Sequence, residues 1–117
     1  TYQLFGEKLN LISDSLRCAG MPDGDYELGG QPIVVKGGKA TLLDGTLAGS
    51  SISMLDAVRN VVRFGLPLEA AVYAATTAPA LAAKLDAGVI EAGRAADLLV
   101  LDKDLNLKAV FVDGRRL

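Results

Sequence analysis

The sequence predicts a mixed α/β fold, and three features predict it. Short apolar or β-branched runs between residues 25 and 43 are separated by Gly29-Gly30 and Gly37-Gly38, and a Gly-Gly pair between two such runs is a hairpin signal. Between residues 54 and 75 the apolar side chains recur at three- and four-residue spacing, the period of a helix face. The tail then returns to apolar, β-branched-rich runs at 97–102 and 107–112, closed by Asp113-Gly114. A chain of 117 residues, 50% of them hydrophobic, has enough for one modest core. At this size folding buries somewhat under ~70% of the unfolded chain's surface, so marginal stability is expected.

Taken in order, residues 9–13 (Leu-Asn-Leu-Ile-Ser) form a short, mostly apolar run that predicts a buried strand with Asp14 at its end. Cys18 to Gly24 is turn chemistry, with Gly20, Pro22 and Gly24. Strands are predicted at 25–28, 33–36 and 40–43, a small meander whose packing partner its weak alternation leaves open. Asp44 to Gly49 reads as a loop. A helix should begin after it, capped by Ser51 or Ser53, with Asp56 in the first turn, where the helix dipole favours negative charge. Met54, Leu55, Val58, Val61 and Val62 form its apolar face, and Gly65 ends it.

A second helix runs from about Pro67, with Leu68, Ala71, Val72 and Ala75 on its apolar face. Pro79 is expected to break or restart it. A short third helix near 80–85 should end before Gly88. The alanine-rich stretches at 70–75 and 78–83 predict tightly packed helix. No internal repeat, low-complexity segment or linker marks a domain boundary.

Composition narrows the function. Net charge is −2 with the signs interspersed, which argues against nucleic acid. No apolar run approaches the ~18–20 residues of a spanning helix, and there is no signal-peptide pattern, so no membrane association is expected. Thr1 fits a trimmed or internal start, and equally engineering or processing. The single Cys18 cannot form an internal disulfide, which favours a reducing, cytoplasmic setting. There is no histidine, the usual physiological-pH acid/base and the commonest metal ligand. A complete zinc hydrolase site is therefore not expected within these residues.

Few residues offer chemistry. Asp14 closes an apolar run and reads either as a strand-end acid facing a site or as an Asp capping the next turn. Cys18 lacks a histidine partner, which disfavours a thiolate nucleophile. Arg17 and Lys36 could meet a phosphate but read better as solvated surface. Asp23 and Asp25 sit together in turn chemistry, and Asp97 and Asp102 flank a strand, with exposed ends expected. Tyr73 reads as packing. Gly45 to Ser50 is no P-loop, since no Gly-Lys pair follows, and Gly37-Gly38-Lys39 is a turn.

Several segments carry a resemblance across essentially the whole chain. Ser13-Asp14-Ser15 after its apolar run is similar to the eighth-strand aspartate of the amidohydrolase superfamily. Gly88-Val-Ile-Glu-Ala-Gly93, Ala96-Asp-Leu-Leu-Val-Leu-Asp102 and Val112-Asp-Gly114 resemble that superfamily's closing pattern. More specifically, Ala19-Gly-Met-Pro-Asp-Gly-Asp-Tyr-Glu-Leu-Gly-Gly30 and Asp44-Gly-Thr-Leu-Ala-Gly-Ser50, with Met54 shortly after, resemble the N-acetylglucosamine-6-phosphate deacetylases.

The resemblance implies the C-terminal part of such an enzyme. Residues 1–85 would be the end of a (β/α)8 barrel, its last strand and helix with an inserted β-hairpin. Residues 86–117 would be the C-terminal strands of a small β-sandwich. Active-site residues of such barrels lie at the C-terminal ends of the strands. Asp14 is implied as the general base and acid of amide hydrolysis, and Leu47, Ala48 and Gly49 as lining the sugar-phosphate pocket; that segment also reads as an ordinary loop feeding a helix. The full enzyme would hold a divalent metal, zinc being expected, on ligands from strands this chain does not contain. The 117 residues alone are expected to hold no metal and to be inactive. The partner is a small sugar phosphate, with a homo-oligomer (dimer) or self-association through exposed edges also expected. Two other readings stay open: another amidohydrolase, or a non-catalytic α/β interaction module. A fragment would expose apolar edges, whereas a self-contained module would close its own sheet.

Overall fold

The computed structural model describes residues 2–117, the side chain of Phe5 apart. It is a mixed α/β structure with two small antiparallel sheets, one of four strands and one of three. The chain groups into two compact units: Leu11–Phe64, and residues up to Asn10 together with Gly65–Leu117.

The first unit is built on a meander of β1 (Gly24–Leu28), β2 (Gln31–Lys36), β3 (Lys39–Leu42) and β4 (Leu47–Ser50), paired in that order. Both Gly-Gly pairs make two-residue hairpin turns with positive φ at each glycine, the mirror-image turn that matches strand twist. Asp23 locks the second hairpin, its carboxylate accepting from the Gly37 N–H at 3.0 and 3.1 Å. Alternation along β2 sends Ile33 and Val35 to one face, where they are 1% and 2% exposed. Ala40 lies opposite Val35 on β3. Cys18 completes this core, with Leu16, Tyr26, Leu42 and Ala48 packed around it. The meander's packing partner is thus the segment just before it, through Leu16 and Cys18.

Helix α2 (Met54–Arg63) closes this unit. Ser53 caps it: its hydroxyl accepts from the Asp56 N–H at 3.2 Å, while the Asp56 carboxylate accepts from the Ser53 N–H at 3.1 Å. This reciprocal box satisfies two of the donors a helix start leaves unpaired. Ala57 and Val58 are buried, and Val61 and Val62 half-buried.

In the second unit, α1 (Tyr2–Phe5) leads into a 3-10 turn at Gly6–Lys8, against which α3 (Leu68–Ala75) packs. Helix α4 (Thr77–Ala82) follows α3, and their shared core is alanine, with Ala71, Ala74, Ala78 and Ala80 buried. The corner is tied to the loop beyond it, Thr77 donating its hydroxyl proton to the Gly88 carbonyl at 2.6 Å. A Cβ at Gly88 would stand 2.6 Å from the Thr76 carbonyl oxygen, so the close approach requires glycine. The three-stranded sheet is β5 (Leu98–Leu101), β6 (Leu107–Val112) and β7 (Arg115–Arg116). Asp97 and Asp102 sit at the two ends of β5 and clasp its turns. Asp97 accepts from the Asp113 N–H at 2.7 Å, and Asp102 from the N–H groups of Asp104 and Asn106 at 3.0 and 2.8 Å.

Three expectations need correction. Residues 9–13 are not a strand: among the described residues none of them pairs in a ladder, the nearest pairing being the isolated parallel bridge from Ser15 to Ser50, and Ile12 is 73% exposed. A parallel strand is made by its neighbours, and an apolar run without them stays unpaired. The predicted loop at 44–49 contributes a strand instead, since β3 offers a free edge and Asp44, accepting from the Thr46 N–H at 2.9 Å, turns the chain back onto it. The helix break falls at Thr76 (φ −126°, ψ −77°) rather than at Pro79. Pro79 lies in the first turn of α4, where no amide donor is needed.

Candidate functional site

Asp14 stands just before the bridge that joins the segment ahead of the meander to β4. Its carbonyl accepts from the Ser50 N–H at 3.0 Å, and the Leu16 N–H donates to the Ser50 carbonyl at 2.8 Å. The Ser15 hydroxyl donates to the Ile52 carbonyl two residues further on, and Ile52 in turn donates its N–H to the Ser50 hydroxyl at 3.1 Å. Asp14 itself has a left-handed backbone, φ 49°, which Asp tolerates better than most residues. Its side chain is exposed. Among the described residues no hydrogen bond or ion pair holds that carboxylate.

Leu47, Ala48 and Gly49 are three of the four residues of β4, so the candidate pocket segment is strand backbone immediately before Ser50. Its side chains do not act alike. Leu47 is 68% exposed. Ala48 packs against the core and is the extra residue of a β-bulge, Ala40 pairing with Gly49 and Thr41 with Leu47. Gly49 has φ 149°, and a Cβ there would meet the Leu16 side chain at 2.9 Å. The structure therefore gathers Asp14 and the Leu47–Gly49 strand at one place through main-chain bonds. It also implicates Ser15, Leu16 and Ser50, which sequence reasoning passed over. The small residues around Gly49 were the only signal that something packs closely there.

Other candidates fall to packing and turns. Cys18 is 1% exposed in the core. Arg17 and Lys36 are exposed. Asp23 is committed to the Gly37 turn. An open cavity of about 370 Å³ is lined by Arg17, Cys18, Met21, Tyr26 and Glu27 and includes none of the site residues above. Among the described residues no helix is long and apolar enough to cross a membrane.

Among the described residues no group of three or more His, Cys, Asp or Glu converges, and the chain has no histidine. Asp14 alone falls short of the three or four ligands a zinc site needs, so these residues do not fit a metal by themselves.

Known proteins share this sequence and fold. The amidohydrolase family model matches residues 35–117. An N-acetylglucosamine-6-phosphate deacetylase of Caenorhabditis elegans is 41% identical over 92% of this chain and 27% of its own length. A putative N-acetylgalactosamine-6-phosphate deacetylase of Escherichia coli K12 is 35% identical over 93% of this chain and 67% of its own. The solved Mycobacterium smegmatis N-acetyl-D-glucosamine-6-phosphate deacetylase, an Asp-to-Ala variant in complex with N-acetyl-D-glucosamine-6-phosphate, superposes with a TM-score of 0.90 at 39% identity. That match covers 98% of this chain and 32% of the solved one. This chain thus spans about 30% of the length of the full-size deacetylases it matches. It belongs to the amidohydrolase family, and the part it spans is similar to N-acetylglucosamine-6-phosphate deacetylases.

Proposed function

We propose that these residues work within a hydrolase that removes the acetyl group from N-acetylglucosamine 6-phosphate, releasing glucosamine 6-phosphate and acetate. The observation that carries the reading is the pair of bonds to Ser50. They hold the backbone of Asp14, whose carboxylate has no partner among the described residues, beside the strand that, by resemblance, lines the sugar-phosphate pocket. A solved relative of 39% identity that holds this sugar phosphate supports the choice of substrate.

Asp14 acts as general base and then general acid. It takes a proton from the attacking water as the water oxygen bonds to the acetyl carbon. It then hands that proton to the amide nitrogen as the C–N bond breaks, so acetate and the amine leave without a free hydroxide or amide anion. A zinc ion, when present in such sites, lowers the pKa of bound water to about 7. Its ligands would come from outside this chain. Leu47, Ala48 and Gly49 contribute to the pocket wall. In this reading residues 1–85 are the end of a (β/α)8 barrel with an inserted hairpin, and residues 86–117 are strands of a β-sandwich. The protein is cytoplasmic and associates with itself, for which exposed Leu99, Val100 and Leu107 offer apolar surface. The 117 residues alone are inactive.

Asp14→Asn in the whole protein should lower kcat for acetate release by ~10²–10⁴-fold, the range a positioned acid/base supplies. Near-normal turnover by that variant would remove Asp14 from the reaction. A second reading is favoured by the Escherichia coli relative, of which this chain covers 67%: the C4 epimer, N-acetylgalactosamine 6-phosphate, is the preferred substrate. The ratio of kcat/KM for the two sugar phosphates decides between them.

A further inference from the structure

We infer that Leu16, with Ser15, is a positioning residue for Asp14, and that Gly49 is small because Leu16 must sit on it. The inference rests on the general acid/base reading of Asp14 and goes beyond it, because it gives the Leu47–Gly49 strand a mechanical task.

Among the described residues Asp14 is held by its backbone alone. Its carboxylate has no partner among the described residues, so the direction of the side chain follows from the main chain on either side. That main chain adopts a left-handed φ of 49°, a conformation that persists when surroundings enforce it. Three contacts do so. The Asp14 carbonyl accepts from Ser50, and the Leu16 N–H donates to the Ser50 carbonyl, at 3.0 and 2.8 Å. The Ser15 hydroxyl ties the middle residue to the Ile52 carbonyl.

The Leu16 side chain then rests on Gly49 so closely that a Cβ there would lie 2.9 Å from both its Cγ and a Cδ. It also packs against the core formed by Cys18, Ile33, Val35 and Ala40. Leu16 therefore links the residue two positions before it to the rigid centre of the sheet. Any side chain at Gly49 would lift Leu16 and shift the Ser50 bonds that fix Asp14. Gly49 faces the aspartate's support, and a substrate interaction along this strand would have to use its main chain or Leu47.

The test uses the whole protein, with Asp14→Asn as control. Leu16→Ala should lower kcat by ~10²-fold, the cost of displacing a catalytic group by about 1 Å. KM for N-acetylglucosamine 6-phosphate should stay within about twofold, since a loss confined to the transition state lowers kcat alone. Leu16→Met, which refills the space, should restore most of the rate. Because Leu16→Ala removes core packing and could fail to fold, Ser15→Ala supplies an independent arm. It leaves the core intact and should lower kcat by about 3- to 10-fold with KM unchanged, since catalysis is sensitive to small misplacements. A folded Leu16→Ala protein with normal kcat, or one whose loss lies in KM, overturns the inference, as does normal kcat in Ser15→Ala. If Asp14→Asn itself retains normal turnover, the acid/base reading has failed and the inference falls with it. A slow Asp14→Asn beside a normal Ser15→Ala leaves the reading standing and removes only the positioning role.

Discussion

The two sheets are both antiparallel, and the one whose strands are richer in aliphatic residues is the less buried. In the β1–β4 meander, Ile33, Val35 and Ala40 are at most 2% exposed. In the β5–β7 sheet no residue is fully buried, and Leu99, Val100 and Leu107 are 56%, 45% and 47% exposed. The first sheet has a cover, made by Leu16 and Cys18 from the segment just before it in sequence. The second has turns clasped by Asp97 and Asp102, and apolar strands that remain open. Sheet stability comes from side chains meeting across strands and from what lies on the buried face. Hydrogen-bonded turns set a register without supplying that burial.

The largest expected effect breaks the covered sheet. Ile33→Ala should cost ~2–5 kcal/mol in urea denaturation, since it removes buried methylenes and leaves a cavity. Leu99→Thr on the open sheet keeps strand propensity while removing exposed apolar surface, and should change stability by no more than ~0.5 kcal/mol. Equal losses from the two substitutions would mean that the open sheet is buried against something in solution. That outcome would turn the comparison into evidence for self-association, which a concentration-dependent sedimentation profile would show.

The same contrast explains how much could be read from sequence. The hairpins were legible because Gly29-Gly30 and Gly37-Gly38 supply the positive φ that their turns demand. Helix α2 was legible from the three- and four-residue spacing of its apolar side chains, with Ser51 or Ser53 open as caps; the structure selects Ser53 and pairs it with Asp56. The tail strands were legible from β-branched runs ended by Asp113-Gly114. These are local signals. What failed was non-local. Residues 9–13 have the composition of a strand, but a strand exists only where a neighbour pairs with it. β4 looked like a loop because Leu-Ala-Gly-Ser has little strand propensity, and the edge of β3 overrode that. Pro79 looked like a place where the helix breaks or restarts, and it sits in the first turn of the restarted helix, three residues after the break at Thr76. The gathering of Asp14 with Ser50 belongs to this second kind, since the residues lie far apart in sequence and their bonds are main-chain.

A sharper, smaller test concerns the helix attached to the covered sheet. Ser53→Ala removes one half of the capping box, and the Asp56 carboxylate loses the hydroxyl that donates to it at 2.7 Å. The expected cost is ~1 kcal/mol. Ser51→Ala, at the alternative cap position, should cost less than about half of that if Ser53 alone caps. Comparable losses would place the helix start two residues earlier in solution.

The smallest effect is a pH dependence, and it separates the two sheets by their acids. Hydrogen bonds from Asn106, the Asp104 amide and Lys108 hold the Asp102 carboxyl far below its ordinary value of 3.8. Bonds from Ser53, with Arg59 also favouring the charged form, lower the Asp56 carboxyl. A carboxylate whose pKa is depressed on folding stabilises the native state above its unfolded value, near pH 4, and that contribution is lost as pH falls toward the folded value. Stability should therefore be level from pH 7 to about 5 and decline below it as the unfolded state binds more protons. Asp102→Asn should flatten the decline in the β5–β6 turn without touching the meander. Asp56→Asn should flatten it at the start of α2. Amide exchange followed from pH 5 to 3 reads the two regions separately. Protection at Asn106 that survives acid as well as that at Val35 would show that the Asp102 clasp is not what holds the open sheet's turn.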